Sequence, residues 1–218
     1  MRVVIIKKEK IIEWIVFLIV LFLIWSHVNV VVSNSMYPIM KRGDLVIVEN
    51  AGFEFNPNDV KVGDIVVYSA HWDAYQYILY AISQKLGYDF NNTLFIFNRG
   101  DDKLEAKVLG KLKTDVGEFV IINFSTPKLF EKPVIHRVID KVEFDNRTYF
   151  IIKGDNNYMH DPELVSINQI KQRVLTIDGH PLIIPYLGYL SIYAKEYWYI
   201  IVLIIIFDIL YKQLRGKK

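Results

Sequence analysis

The chain has 218 residues, enough for one domain with a sizeable core or for a smaller domain with membrane segments. Its hydrophobic fraction of 52% is slightly above the usual value for soluble proteins, and its formal net charge is only +2. It has no cysteine, which excludes a disulfide, a thiolate nucleophile and a Cys-ligated metal, and it has no basic stripe that would favour nucleic acid as a partner.

The first predicted element is an apolar run of 22 residues, 11–32, which follows a basic N-terminal tail, 1–10. At about 1.5 Å per residue, a helix of this length crosses a hydrocarbon core of roughly 30 Å. The apolar region of a cleaved signal peptide is shorter, about 7–15 residues, and a small-x-small cleavage site follows it. The run therefore predicts an uncleaved transmembrane anchor.

The middle of the chain, 33–190, reads mainly as short strands separated by turn residues, a pattern that is typical of a small β domain. The predicted strands are 45–48, 65–68, 118–124, 134–142, 148–153 and 174–177. The predicted fold is therefore mainly β: a coiled antiparallel domain between an N-terminal and a C-terminal transmembrane helix.

The long segment between the predicted strands 65–68 and 134–142, residues 69–133, is predicted to be an inserted α/β element. It contains a helix candidate, 73–86, that ends at Gly87, and then a strand candidate, 94–97, and a charged stretch, 99–113. The insertion could cover a site, bind a partner, lie on lipid or be a passive elaboration. Three Asn-x-Ser/Thr sequons in the exported part permit glycosylation; they begin at Asn91, Asn123 and Asn146.

A second apolar run, 191–211, precedes a basic C-terminal tail, 212–218, and predicts a second transmembrane helix. An interfacial or buried core helix is the alternative interpretation. Because both outer flanks are basic, the positive-inside rule predicts a two-span protein of the cell membrane with both termini in the cytoplasm. The domain between the spans, in which acidic residues outnumber basic ones, is then extracytoplasmic.

Ser35, three residues after the predicted anchor, is the candidate nucleophile. A serine hydroxyl needs a base to take its proton, and histidine is the most suitable base near neutral pH. Among the five histidines, His136 lies within an apolar strand, which holds a side chain more rigidly than a loop does. A hydrogen-bonded core histidine is the alternative interpretation of His136.

A third group would orient the imidazole and stabilise its charged form. The densest polar cluster, 153–162, follows an apolar strand, and its Gly-Asp-Asn-Asn stretch is typical of a tight turn. A turn alone would not need Asp161, which lies six residues after Asp155. Ser35, His136 and an aspartate from this cluster form a hypothetical triad, and spacing alone does not select which aspartate.

Four blocks in this order resemble the type I signal peptidases (peptidase family S26), in the branch of archaea and the endoplasmic reticulum. They are Ser33–Pro38, similar to Ser-x-Ser-Met-x-Pro; Gly63–Tyr68, similar to Gly-Asp/Glu-Ile-Val-Val; Val134–Ile139, similar to the His-Arg-Val block; and Lys153–Asp161, similar to Lys-Gly-Asp-Asn-Asn…Asp. Bacterial members have a lysine base where this branch has histidine. The resemblance covers most of 33–68 and 134–190, and its main departure is the long insertion, 69–133.

The resemblance implies catalytic roles for the residues that match. Ser35 would attack the scissile carbonyl, and His136 would take its proton and give it to the leaving amine. Asp161 would orient His136, and Asp155 would be a further important acid that positions the site. The hydroxyl of Ser33 and the backbone N–H of Ser35 would be the oxyanion donors.

The implied function is that of a membrane-bound serine endopeptidase, a signal peptidase that cleaves signal peptides from secretory preproteins after small, Ala-x-Ala-like residues. The expected substrate contacts are Met36 and Pro38. The expected partners are secretory preproteins, the lipid bilayer and the translocation machinery, with no nucleic acid, cofactor or metal. Two alternatives stay open: a processing peptidase for one dedicated precursor, and a catalytically inactive, membrane-tethered assembly protein of the same fold.

Overall fold

The computed structural model describes residues 8–84, 90, 92–99, 102–125 and 130–215. The predictions for the tails 1–7 and 216–218, for the helix end at Gly87 and for the sequon at Asn91 lie outside these residues. The chain divides into two compact units. The smaller unit comprises Met1–Asn34, Met40–Ile47 and Leu182–Lys218, and the larger unit comprises Ser35–Ile39 and Val48–Pro181.

The larger unit is built on a twisted antiparallel sheet. Its strands are β2 (Leu45–Asn50, of which the last three residues belong to this unit), β3 (Ile65–Ala70), β7 (Lys132–Phe144), β8 (Arg147–Lys153), β9 (Val165–Ser166) and β10 (Ile170–Val174). They lie in the order β2, β10, β3, β7, β8, β9, and every neighbouring pair is antiparallel. The prediction of a mainly β, antiparallel domain is confirmed.

Two register shifts bend this sheet. One lies between Val138 and Asp140 of β7, and the other lies between Ile170 and Gln172 of β10. A bulge inserts an extra residue and increases the local right-handed twist. The strand predicted at 174–177 is wrong in its bounds, because β10 ends at Val174 and the next two residues form a separate short ladder. In that ladder β11 (Thr176–Ile177) pairs with β12 (His180–Pro181).

The register of β3 against β7 sets the position of the candidate base, His136. Val66 lies opposite His136, and Tyr68 lies opposite Val134. Because side chains alternate between the two faces of a strand, Val66, Tyr68 and His136 share one face of this pair. All six residues of β3 are buried, which agrees with its β-branched, apolar sequence. The core beneath them includes Val138, Phe150, Ile152, Val165 and Ile170.

The predicted insertion forms a helix and a three-stranded antiparallel sheet. The elements are α2 (Trp72–Ser83), β4 (Leu94–Arg99), β5 (Asp102–Thr114) and β6 (Gly117–Ser125). The charged stretch predicted at 99–113 is mostly strand: Leu104, Ala106 and Val108 are buried, while alternate residues such as Lys103 and Lys107 are exposed. That alternation has the period of a strand. Because charged residues occupy every second position, the sequence alone indicated only a charged stretch here.

The smaller unit contains the apolar helices. Its elements are α1 (Lys8–Ser26), β1 (Val28–Val30), the first three residues of β2, β13 (Ile183–Ile184), α3 (Gly188–Glu196) and α4 (Trp198–Arg215). The predicted anchor 11–32 does not stay helical to its end, because Val28–Val30 pairs with Leu45–Ile47 as a strand. β-Branched valines favour this extended conformation.

Apolar surface is widely exposed on these helices. The large apolar side chains of α1 are 44–71% exposed, from Ile11 to Trp25. Within the described residues, no single helix is both long and apolar enough to cross a membrane. The predicted second span is broken near Tyr197. The length and composition expected of a span are met only by a pair of helices bent by 68°, Gly188–Glu196 and Trp198–Ile209.

Candidate active site

Ser35 lies in a turn that is held against the polar loop after β8. The side chain is half-buried, and the neighbouring Met36 is 1% exposed. The backbone N–H of Asn156 donates a hydrogen bond of 2.8 Å to the carbonyl oxygen of Ser35. This contact joins two segments that are far apart in the chain and sets the position of the serine.

His136 lies in β7 and directs its imidazole at this serine. Nε2 of His136 is 2.9 Å from Oγ of Ser35, and the histidine is only 3% exposed. The accepting atom of a base must lie within about 2.6–3.2 Å of the oxygen whose proton it takes, and Nε2 of His136 and Oγ of Ser35 meet that condition. The ordered strand, with Val66 opposite on β3, fixes the direction of the ring.

Asp161 lies on the other side of the imidazole. Nδ1 of His136 is 2.7 Å from Oδ2 and 3.0 Å from Oδ1 of Asp161, which is 3% exposed. The backbone N–H of Asp161 donates to the carbonyl oxygen of Ile152, which holds the loop against the end of β8. With its proton on Nδ1, the ring donates to the carboxylate and Nε2 can accept the proton of a hydroxyl.

Gly154 lies where the serine and the histidine approach one another. A Cβ atom at this position would lie 2.7 Å from the carbonyl oxygen of Ser35 and 2.9 Å from Nε2 of His136. Contacts this short are essentially never observed for real Cβ atoms, so a side chain here would displace one of the two groups. The glycine within the Lys153–Asp161 block is therefore required by this close approach and not only by a turn.

Asp155 does not contact His136 in a described hydrogen bond; it forms an ion pair with Arg137. Nε of Arg137 donates a hydrogen bond of 2.8 Å to Oδ1 of Asp155, and Nη2 donates one of 2.8 Å to Oδ2. Nη1 donates to the carbonyl oxygen of Gly63. The hydrogen bonds to Asp155 raise the pKa of Arg137 above its ordinary value, against the opposing effect of burial. This forked pair fixes the residue that follows His136 and the loop that precedes Asp161.

Two aromatic residues outside the predicted site lie against the cluster. The rings of Trp72 and His136 are stacked, with centroids 6.1 Å apart and planes inclined by 29°. The hydroxyl of Tyr68 donates a hydrogen bond of 2.7 Å to Oδ2 of Asp161. Tyr68 ends the Gly63–Tyr68 block, and a hydroxyl directly after the apolar residues Ile65–Val67 is a signal that could have indicated it.

The remaining predicted site residues are placed differently. Ser33 is exposed and belongs to the smaller unit, whereas Met36 is buried and Pro38 is exposed in the larger unit. The oxyanion role of Ser33 and the substrate contacts of Met36 and Pro38 stay predictions from the sequence. The described residues contain no group of three or more His, Asp or Glu side chains arranged to hold a metal ion.

A second buried histidine–carboxylate pair lies in the larger unit. Nδ1 of His71 is 3.4 Å from Oε2 of Glu163, whose Oε1 accepts a hydrogen bond of 2.8 Å from the backbone N–H of His71. Nε2 of Gln169 is 3.1 Å from the same Nδ1, and the ring is stacked on Phe124. The three residues His71, Phe124 and Gln169 line a cavity of about 820 Å³.

Comparison with known proteins shows high similarity to an archaeal protein. An uncharacterized protein of Methanocaldococcus jannaschii is 68% identical over 202 residues, which cover 92% of this chain and the whole of the relative. The chain matches no family model, and no solved structure matches it.

More distant relatives are catalytic subunits of signal peptidase complexes. The subunit of Schizosaccharomyces pombe is 25% identical over 174 residues, which cover 79% of this chain and 69% of the relative. The subunit of Pyricularia oryzae is 33% identical over 86 residues, which cover 39% of this chain and 48% of the relative.

Proposed function

The chain belongs to the same family as the Methanocaldococcus jannaschii protein and is a distant homologue of signal peptidase catalytic subunits, and on that premise we propose that it is a serine endopeptidase. Its proposed reaction is the removal of N-terminal signal peptides from secretory preproteins, with cleavage after small, Ala-x-Ala-like residues. It would belong to the branch with a serine nucleophile and a histidine base.

The observation that supports this proposal best is the hydrogen-bonded series formed by Ser35, His136 and Asp161. The two distances on the imidazole, 2.9 Å to Oγ of Ser35 and 2.7 Å to Oδ2 of Asp161, are those of a nucleophile with an oriented base. His136 and Asp161 are each 3% exposed, so little water competes for these hydrogen bonds.

The first half of the proposed reaction forms an acyl-enzyme. Oγ of Ser35 attacks the scissile carbonyl carbon while Nε2 of His136 takes its proton. Asp161 stays ionised and accepts the hydrogen bond from Nδ1–H, which stabilises the imidazolium. His136 then gives its proton to the leaving amine as the C–N bond breaks, and this releases the mature protein.

The second half hydrolyses the ester. A water molecule gives a proton to Nε2 of His136 and attacks the ester carbon, and the proton returns to Oγ of Ser35 as the C–O bond breaks. The backbone N–H of Ser35 and, by resemblance, the hydroxyl of Ser33 are the proposed donors to the oxyanion. Loss of one such donor typically lowers kcat by about 10²–10³-fold.

Attachment to the membrane is part of the proposal. The apolar side chains exposed on α1 and α4 are what lipid-facing helices present, and a pair of helices bent by 68° passes the length and composition test. With both termini in the cytoplasm, the β domain would be extracytoplasmic. The apolar region of a signal peptide lies in the bilayer, so its cleavage site would emerge near an enzyme anchored in this way.

The proposed function is tested by cleavage of a purified preprotein by the full-length chain in detergent. We expect S35A to lower kcat by at least about 10⁴-fold, because the nucleophile is lost. S83A is the matched control, since Ser83 is exposed on α2 and its hydroxyl donates only to the carbonyl oxygen of Tyr80 among the described contacts. If S35A cleaves as well as the parent, the assignment as a serine endopeptidase is wrong.

A panel of unrelated secretory precursors separates the proposal from its alternatives. Ser35-dependent cleavage of several precursors after small residues supports a general signal peptidase. Cleavage of one precursor alone would indicate a dedicated processing enzyme. Tight binding without cleavage would indicate an inactive assembly protein.

A further inference from the structure

The hydroxyl of Tyr68 reaches the carboxylate that faces the candidate base. Tyr68 is 0% exposed, and its O–H donates to Oδ2 of Asp161 at 2.7 Å. The same oxygen atom lies 2.7 Å from Nδ1 of His136. One carboxylate oxygen thus lies within hydrogen-bond distance of two groups on different strands, and the hydrogen-bonded series extends from Ser35 to Tyr68.

The backbone makes this contact rigid. Tyr68 and His136 lie on the same face of the β3–β7 pair, two residues out of register, and both strands are paired along this stretch. Asp161 is held separately by its N–H bond to Ile152. A carboxylate attached at one point can still rotate about its side-chain torsions, and a second fixed donor restricts that rotation.

A core tyrosine that only satisfies its hydroxyl is the simpler explanation, and Tyr75 provides an example of it. Tyr75 is 2% exposed, and its O–H donates a hydrogen bond of 2.9 Å to the carbonyl oxygen of Val120. Tyr68 differs because its acceptor is a charged carboxylate in contact with the base. A hydrogen bond to a charged group is also stronger than one to a neutral carbonyl.

The charges around Tyr68 keep its hydroxyl in the donor form. Burial raises the pKa of Tyr68 well above its ordinary value, and the negative charges of Asp161 and Glu163 raise it further. The proton therefore stays on the tyrosine at any pH at which a peptidase would work. Within the described part of the chain, His71 forms an ion-pair contact with Glu163, and His136 forms one with Asp161.

We propose that Tyr68 is a positioning residue of the active site, which holds the carboxylate of Asp161 in the orientation that His136 requires. This inference rests on the proposed function, because it assigns the residue to the same reaction. Tyr68 touches neither Ser35 nor the substrate in this role and acts through Asp161.

The test compares Y68F with Y75F in the full-length chain in detergent. Each variant removes one buried hydroxyl and keeps the ring. We expect Y68F to lower kcat by about 10- to 100-fold with little change in KM, because the lost donor affects the charged acceptor during the reaction and not substrate binding. We expect Y75F to keep the parent kcat even where it lowers the thermal midpoint as much as Y68F does.

A measurement that does not need activity separates the positioning role of Tyr68 from that of a core tyrosine that only satisfies its hydroxyl. The NMR signal of the Nδ1–H proton of His136, in the parent and in both variants, reports the hydrogen bond to Asp161. We expect this signal to move downfield in Y68F and to stay in Y75F, because Tyr68 donates to the carboxylate oxygen that faces Nδ1, whereas Tyr75 donates to the carbonyl oxygen of Val120. For Y68F, a kcat and an NMR signal equal to those of the parent would overturn the positioning role.

The proposed function and the positioning role of Tyr68 would be contradicted by different results. If the parent shows no Ser35-dependent cleavage, the proposed function is wrong, and the NMR shift still decides whether Tyr68 acts on the pair. If cleavage depends on Ser35 but Y68F behaves as Y75F does in both measurements, only the role of Tyr68 is wrong.

Discussion

The two buried histidine–carboxylate pairs of the larger unit differ in what lies beyond the imidazole. His136 and His71 are each 3% exposed, and each has a buried carboxylate on the Nδ1 side. Nε2 of His136 lies 2.9 Å from a serine hydroxyl, whereas Nε2 of His71 has no hydrogen-bond partner within the part of the chain that the structure describes. Among the residues that the structure describes, only the first pair has a serine hydroxyl within hydrogen-bond distance of Nε2.

The surroundings of His71 are those of a structural residue. Gln169 accepts from the backbone N–H of Ser166 and donates to the carbonyl oxygen of Ser69, which leaves its second N–H for Nδ1 of His71. Glu163 accepts from the backbone N–H of His71, next to the start of α2. A buried histidine beside a carboxylate therefore does not indicate catalysis by itself; the hydroxyl on the second nitrogen distinguishes the two pairs.

The largest expected difference between the pairs comes from replacing each histidine by glutamine. We expect H136Q to lower kcat by about 10⁴-fold or more, because the base is lost, and H71Q to stay within about 3-fold of the parent. Preprotein cleavage measures the first effect, and a thermal midpoint below that of the parent is expected for H71Q. Comparable losses of kcat in both variants would contradict the distinction.

The carboxylates provide the second test. We expect D161N to lower kcat by about 10³- to 10⁴-fold, because an amide can donate to Nδ1 and so favour the wrong tautomer of His136. E163Q should retain activity within about 10-fold, since a glutamine oxygen can still accept from the N–H of His71. Steady-state kinetics of both variants at several pH values check this; an active D161N would remove Asp161 from the mechanism.

Glycine substitutions test the close approach that exists only at the first pair. G154A places a Cβ between Ser35 and His136, and we expect about a 10²-fold loss of kcat, the size that a displacement of about 1 Å can cause. Gly110 is the matched control, since its Cβ would lie 2.9 Å from Cζ of Phe144 in the core. G110A should lower stability without a comparable loss of kcat per folded molecule.

The smallest expected effect concerns the ion pair next to His136. D155N leaves Arg137 with one acceptor fewer, and we expect kcat to fall by about 3- to 10-fold and the free energy of unfolding to fall by about 1–2 kcal/mol. The Arg173–Glu49 pair in the same sheet is similarly exposed. The side chains of Arg173 and Glu49 are each 27% exposed, and those of Arg137 and Asp155 are 28% and 17% exposed. E49Q should therefore lower stability by a similar amount while kcat stays unchanged; denaturant titrations and cleavage rates of both variants decide.

Much of the candidate site could be predicted because its residues lie in short local patterns. Ser35, His136 and Asp161 each belong to a block of the resemblance, and all three meet in the structure. The partner of Asp155 could not be predicted, because nothing local indicates that Arg137, 18 residues earlier, donates hydrogen bonds to its carboxylate. The contacts of Tyr68 and Trp72 were not predicted, because they depend on the pairing of β3 with β7 and on where α2 begins.

The strands and helices, too, could be predicted from the sequence only in part. The pattern of short β-branched runs between turn residues was enough to predict most of the strands of the main sheet. It failed at 99–113, where lysines alternate with buried residues, and at 28–30, where valines within an apolar run pair as a strand. Local sequence does not contain the partner strand, and the partner decides between a strand and the end of a helix.

Composition and local pattern were therefore sufficient for the class of fold, the apolar segments and the residue types of a serine, a base and an acid. The tertiary structure added the distances that distinguish chemically similar residues. His71 and His136 are both histidines with a buried carboxylate nearby, and Asp155 and Asp161 are both aspartates of one loop. The choice depends on distances between residues such as Ser35 and His136, 101 positions apart. Those distances are set by tertiary contacts, which include the pairing of β3 with β7 and the hydrogen bond from Asn156 to Ser35.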